Sequence, residues 1–247
     1  MLALITSPEA WAAFVTLTVM EIVLGIDNVV FISLVVEKLP PRQALRARQI
    51  GLSVALVLRI GLLLTLSWLI GLQQSLFTAY GIDISWRDLI LIGGGGFLVA
   101  KATMEMHAAM EGEDDPAEED ASAVAGRAFG LVIAQVAMLD LIFSIDSILT
   151  AIGMAEHVEV MVAAVIVAVG IMFWASGALS RFISSHPTAK MLALAFLLMV
   201  GVMLVADGFE VHIPRGYVYA AMAFSVLVEM LNMTAARRRR RRQGGAA

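Results

Sequence analysis

Apolar residues run along this chain in seven long stretches separated by short polar clusters, and that pattern predicts the architecture. A helix needs ~20 mostly apolar residues to cross the ~30 Å hydrocarbon core of a bilayer. Segments at roughly 11–36, 47–70, 87–107, 127–152, 159–180, 189–207 and 216–234 meet that length. The breaks between them carry turn and polar signals: Leu39-Pro40-Pro41, Gly81-Ile82-Asp83, the acidic stretch around Pro116, His186-Pro187 and Ile213-Pro214. The expected fold is therefore all-α, a polytopic membrane protein of seven transmembrane helices.

Composition agrees. Of 247 residues, 60% are hydrophobic and only 15% charged, with a mean hydropathy of +0.87. Soluble domains run at about 45–50% apolar and about 25% charged, so a water-soluble globule is excluded. The chain has no cysteine, which removes disulfides and thiolate metal sites. No basic n-region precedes the first apolar stretch, so a cleavable signal peptide is not expected.

The few charges are unevenly placed. Seven of the 21 acids lie between Glu111 and Asp120, and six of the 17 bases form the run Arg237 to Arg242. Lys and Arg in short loops set membrane orientation. With the N-terminus outside, the inner side receives Lys38, Arg42, Arg46, Arg48, Lys101, Arg127, Arg181, Lys190 and the six tail arginines, whereas the outer side receives Arg87 and Arg215. That predicts N-terminus out and C-terminus cytoplasmic, in a plasma membrane. The arginine tail reads as a topology anchor near anionic lipid, worth about 1 kcal/mol per basic residue close to the surface. With no folded module beside the run, nucleic acid is not an expected partner.

Acids inside the spans carry the chemistry. The first span reads Glu21-Ile22-Val23-Leu24-Gly25-Ile26-Asp27-Asn28, and the fourth reads Asp140-Leu141-Ile142-Phe143-Ser144-Ile145-Asp146-Ser147. Each is an acid, five residues, then an aspartate followed by a small polar residue. A carboxylate at the bilayer centre costs at least ~2.5–3.5 kcal/mol. Spans one and four run in opposite directions, so the match is that of an inverted 3+3 repeat plus a seventh helix, with a site near the midplane. Leu98-Val99-Ala100-Lys101 and Leu204-Val205-Ala206-Asp207 extend the repeat to spans three and six. The organisation follows: a first three-helix repeat over 1–110, an acidic cytoplasmic linker over 111–126, a second repeat over 127–212, the seventh helix over 213–236, and the Arg-rich tail over 237–247.

Six residues of helix separate the two acids of a span by ~9 Å in depth and by ~240° in azimuth. Antiparallel placement brings Glu21 level with Asp146 and Asp27 level with Asp140. Glu21, Gly25 and Asn28 share one helical face, whereas Asp27 points elsewhere. Either the two acids serve different neighbours, or the helix opens at Gly25 and both reach one site, as broken helices do where backbone lines a cavity. Carboxylates with Asn28 and Ser147 are hard oxygen donors, suited to Mg²⁺, Ca²⁺, Mn²⁺ or protons. The alternative is structural: protonated acids hydrogen-bonded between helices, or acids paired with Arg59. Glu229 reads equally as a solvated helix end or a site, His107 and His212 as solvated span ends, the methionines as packing, and Gly93 to Gly96 as a close helix contact.

These motifs, with His186-Pro187 through Lys190-Met191-Leu192-Ala193-Leu194 and Phe224-Ser225…Val228-Glu229…Leu231-Asn232, resemble the TerC family of integral membrane proteins over nearly the whole chain. The resemblance implies a seven-span inverted repeat related to LysE-like exporters. It also implies manganese efflux, as for some members, and a metal-ligand role for Glu21, Asp27, Asn28, Asp140, Asp146 and Ser147. The family name refers to tellurium resistance. The cytosolic domains that some larger relatives append after the seventh span are not expected here, and the arginine run is not part of the family pattern.

Two functions are therefore expected in competition. One is a divalent-cation transporter moving Mn²⁺ outward through intramembrane carboxylates, with proton exchange as the natural coupling because an acid site loses protons to bind metal. The other is a non-transporting assembly or metal-stress protection factor. A rhodopsin-like sensor fails because the seventh span has no lysine, and no nucleophile set supports an enzyme.

Overall fold

The computed structural model describes residues 7–36, 39–79, 82–111, 121–152 and 158–244. Most of the acidic linker, residues 112–120, lies outside the described residues, as do the side chains of Asp27 and of Arg237 to Arg242. The helices are α1 (Pro8–Val36), α2 (Pro41–Leu64), α3 (Leu66–Gly71), α4 (Trp86–Glu111), α5 (Ala121–Ile152), α6 (Val158–Ser185), α7 (Pro187–Gly208) and α8 (Arg215–Gly244). Seven of them, all but α3, are long and apolar enough to cross a membrane.

Local chemistry sets the boundaries. Pro41 and Pro187 open α2 and α7 at the first helical position, where a missing N–H costs nothing and the fixed φ suits the helix. The second apolar stretch was expected as one span over 47–70. It breaks instead at Thr65, whose φ of −101° and ψ of 29° leave the helical region. The Thr65 hydroxyl donates to the Gly61 carbonyl at 3.0 Å, the back-bonding that bends helices at Ser and Thr. The short α3 follows, then a hairpin of β1 (Ser75–Ala79) and β2 (Ile82–Ser85). These strands pair antiparallel, Ser75 opposite Ser85 and Thr78 opposite Asp83.

Because the long helices alternate in direction, every connection belongs to one of two ends. The hairpin end holds the strands and the turn into α8. The tail end holds Pro40, His186 and the arginine run. The dominant helix pairs are α4 with α7, α1 with α6 and α2 with α5, joined by α2 with α6 and α1 with α5. Exchanging α1, α2 and α4 for α5, α6 and α7 returns this same set of pairs. The seventh span, α8, packs mainly on α7.

Two large apolar clusters form most of the core, and a third, of Met203, Val218 and Met222, joins α7 to α8. One large cluster runs through Phe31, Val36, Ala47, Leu52, Leu98, Val136, Leu139 and Leu197. The other runs through Leu17, Leu62, Leu63, Ile145, Ile148, Ala164 and Met172. Buried Arg59 lies between Leu52 and Leu62 on α2, and Asp140 and Ser144 lie between Leu139 and Ile145 on α5, so a polar layer falls where the clusters meet. The outside is apolar too: Trp174 is 85% exposed and Leu64 72%. Such surface is tolerable against lipid and a liability in water.

Of the two alternatives for the first span, a helix opened at Gly25 does not occur, since α1 is one continuous helix. Gly25 instead faces the Met172 side chain, which a β-carbon would overlap, so its smallness lets α1 approach α6. Of the four glycines of α4, Gly94 abuts Ile142 and Gly95 abuts Gly201, whereas Gly93 and Gly96 face open space.

Candidate functional site

Glu21 and Asn28 lie seven residues apart on α1 and therefore share a face. Asp140 and Ser144, four apart on α5, share another. Where these faces meet, the side chain of Arg59 enters from α2, and all five residues are buried. The guanidinium Nη2 donates to Asp140 Oδ1 at 2.8 Å and Nε to the same oxygen at 3.2 Å, while Nη1 donates to Glu21 Oε2. Asn28 Nδ2 donates to Asp140 Oδ1 at 2.9 Å, and Ser144 Oγ to Asp140 Oδ2 at 3.3 Å. One guanidinium thus bridges two carboxylates. Each buried ion loses several kcal/mol of hydration, and these short charge-assisted bonds are what offset it.

A second ionic group sits six residues further along α5, ~9 Å nearer the hairpin end. Arg87 Nη2 lies 2.7 Å from Asp146 Oδ1, and Arg215 pairs with the other oxygen of Asp146. Both arginines are placed by local motifs. Ser85 and Asp88 form a capping box at the start of α4: the Asp88 N–H donates to Ser85 Oγ at 3.3 Å, and the Ser85 N–H donates to Asp88 Oδ2 at 2.9 Å. Such a reciprocal pair satisfies orphan helix-start donors and fixes Arg87 between them. Arg215 follows a tight exit from α7, in which the Val211 N–H donates to the Ala206 carbonyl at 2.9 Å and the Glu210 N–H to the Asp207 carbonyl at 3.1 Å. This is a Schellman closure, and Glu210 holds its left-handed position with φ of 58°, a place usually taken by glycine. A cavity of about 10 Å³, room for about one water, lies between the two ionic groups, with Arg59, Ser147, Arg215 and Tyr219 in its lining.

The expected ligands are therefore distributed. Glu21, Asn28 and Asp140 come together through Arg59. Asp146 stands apart with Arg87 and Arg215, and Ser147 donates to the Ser144 carbonyl at 3.3 Å beside the cavity. The side chain of Asp27 lies outside the described residues. Glu21 was expected level with Asp146 and Asp27 with Asp140; the bonds described for Glu21 lead instead to Asp140, through the long Arg59 side chain. On α5 the two acids serve different neighbours. Among the described residues, no three His, Asp or Glu side chains gather closely enough to hold a metal ion. Glu229 accepts from Thr188 Oγ1 at 2.5 Å, fastening α8 to α7, and His107 pairs with Glu111 at 3.1 Å.

Sequence reasoning weighed Arg59 as a partner but missed Arg87 and Arg215, which it counted only for orientation. It also missed Asp88 and Asp207, both buried at the hairpin end.

Comparison with known proteins gives a consistent picture. The family model described as the integral membrane protein TerC family matches residues 6–244. The UPF0053 inner membrane protein YgdQ of Escherichia coli (strain K12) is 48% identical over 231 residues, covering 94% of this chain and 95% of that protein. The inner membrane protein YoaE of the same strain is 48% identical over 231 residues, covering 93% of this chain and 44% of YoaE. The UPF0053 protein YegH is 49% identical over 233 residues, covering 94% of this chain and 43% of YegH. No solved structure matches this chain.

Proposed function

From the premise that this chain belongs to the TerC family of integral membrane proteins, we propose that it transports a divalent cation, with Mn²⁺ moved outward as the working assignment. The observation that carries this reading is the convergence of Glu21, Asn28 and Asp140 from α1 and α5 in a buried layer between two apolar clusters. Ionisable groups at that depth are expensive and mark ion pathways. Their oxygens are hard donors of the kind Mn²⁺ takes. Ca²⁺ and Mg²⁺ fit the same donor class.

Asp27, Asp146 and Ser147 extend the proposed path, with Asp146 at its hairpin end. Proton exchange is the proposed coupling, since carboxylates release protons when they take a metal. The proposed setting is the inner membrane named for the relatives YgdQ and YoaE, with the N-terminus outside, the tail in the cytoplasm, and the arginines against anionic lipid.

The test is cellular manganese, measured by elemental analysis with and without the protein under manganese load, together with Mn²⁺ uptake into inverted vesicles. Lower cell manganese, and vesicle uptake lost in Asp140→Asn at normal membrane expression, support export. Unchanged manganese in both assays favours the second reading, a non-transporting assembly or metal-stress protection factor. The observation on that side is that Glu21, Asp140 and Asp146 are all bound by arginine, as in a purely structural core.

A further inference from the structure

Glu21 and Asp140 would bring two negative charges to a cation, and in this structure the place between them is filled by the guanidinium of Arg59. We propose that Arg59 is a tethered cation that occupies the carboxylate pair between transport events and makes the site selective for divalent over monovalent ions. This rests on the transport reading and names what regulates that same site.

Three observations support it. Arg59 is 2% exposed and bonds both acids from one side chain, so an incoming cation meets a pair already bridged. It lies on α2, a different helix from either acid, so it can withdraw without moving the backbone of α1 or α5. It also borders the cavity of about 10 Å³ beside Ser147 and Tyr219, room for about one water next to the guanidinium.

Charge then decides which ions enter. A monovalent ion replacing the guanidinium exchanges one positive charge for one, forfeits its hydrogen bonds, and leaves a buried arginine without its partners. That exchange is unfavourable, because an uncompensated buried charge costs several kcal/mol. A divalent ion brings a second charge and neutralises both carboxylates, which offsets the cost of displacing Arg59. Without the tether, two bare carboxylates would accept Na⁺ or K⁺, which are far more abundant in a cell.

The experiment uses the purified full-length chain, with Mn²⁺ as the probe ion, in choline-based and potassium-based buffers. For the unaltered protein, Mn²⁺ affinity should be the same in both. For Arg59→Gln, potassium should weaken apparent Mn²⁺ affinity by about tenfold or more, and Arg59→Lys, which keeps a tethered charge, should restore indifference to potassium. Potassium indifference in Arg59→Gln overturns the proposal.

Should Arg59→Gln not fold, the unaltered protein gives the answer through phenylglyoxal modification, mapped by peptide mass. Arg59 should become reactive when Mn²⁺ saturates and stay protected in potassium alone. Reactivity unaffected by Mn²⁺ overturns the proposal even where vesicles take up Mn²⁺, and then the transport reading stands. No Mn²⁺ binding or uptake by the unaltered protein removes both.

Discussion

Gly95 of α4 and Gly201 of α7 face one another so closely that a β-carbon on Gly95 would lie 2.6 Å from the Gly201 carbonyl oxygen, and one on Gly201 would lie 2.9 Å from the Gly95 carbonyl oxygen. The repeat alignment that pairs Leu98 with Leu204 also pairs these two glycines. Backbone meets backbone at this crossing of α4 and α7.

Gly95→Ala and Gly201→Ala should each destabilise by about 1–3 kcal/mol, the usual cost of overpacking. Gly93→Ala and Gly96→Ala, which meet nothing within 4 Å, should be neutral or gain up to about 1 kcal/mol from helix propensity. Thermal unfolding in detergent separates the two pairs; equal effects at all four glycines would contradict the packing.

Asp140 accepts from Arg59, Asn28 and Ser144, whereas the described bond to Glu21 comes from Arg59 alone. Asp140→Asn should therefore cost more than Glu21→Gln, at about 3–5 kcal/mol for a broken buried pair. The same unfolding assay ranks them, and a larger loss at Glu21 would overturn this account of the layer.

Asp146 receives Arg87 from the start of α4 and Arg215 from the start of α8. Asp146→Asn should loosen the hairpin end of α8. A single cysteine placed by Tyr219→Cys, in an otherwise cysteine-free chain, should then react faster with an impermeant maleimide than it does beside intact Asp146. Equal rates would mean that other contacts hold α8.

Glu210 holds φ of 58° at the exit of α7, a conformation that costs an ordinary L-residue about 1–2 kcal/mol. Glu210→Gly should raise the unfolding temperature without altering Mn²⁺ uptake. A lowered temperature would show that the Glu210 side chain contributes more than its backbone costs.

Thr188→Val removes the donor to Glu229 and should cost no more than about 1 kcal/mol, since the pair is partly open to its surroundings. Cation selectivity should not change. A change would return Glu229 to the set of candidate ligands.

The seven spans were legible because each is a long apolar run and length alone separates a crossing helix from a core helix. Pro41, Pro187 and Pro214 marked three boundaries correctly for a reason that is local. The hairpin was missed because the reading stopped at Gly81-Ile82-Asp83 as a break and did not ask what the flanking residues paired with. The break at Thr65 was missed for a similar reason: threonine is tolerated in helices until its hydroxyl finds a carbonyl. Asp140 and Asp146 stood out because an acid in an apolar run is costly wherever it lies. Their partners did not, because Arg59 is 81 residues from Asp140 and Arg87 is 59 from Asp146, and chain order carries no information about contacts at that distance. Arg87 and Arg215 were also hidden by a competing explanation, since two bases near the ends of spans already satisfied the orientation rule.

The layer of Glu21, Arg59 and Asp140 also has an order of arrival. Synthesis proceeds from the N-terminus and early segments fold first, so α1 and α2 reach the bilayer while α5 is still unmade. During that interval Glu21 is the acid of the layer already present to receive Arg59, and an arginine left alone in a span is costly. In that order of synthesis the Arg59–Glu21 pair needs only the first two spans, so the charge of the second helix has a partner before the fourth is made. Asp140, two crossings after Arg59, completes the layer.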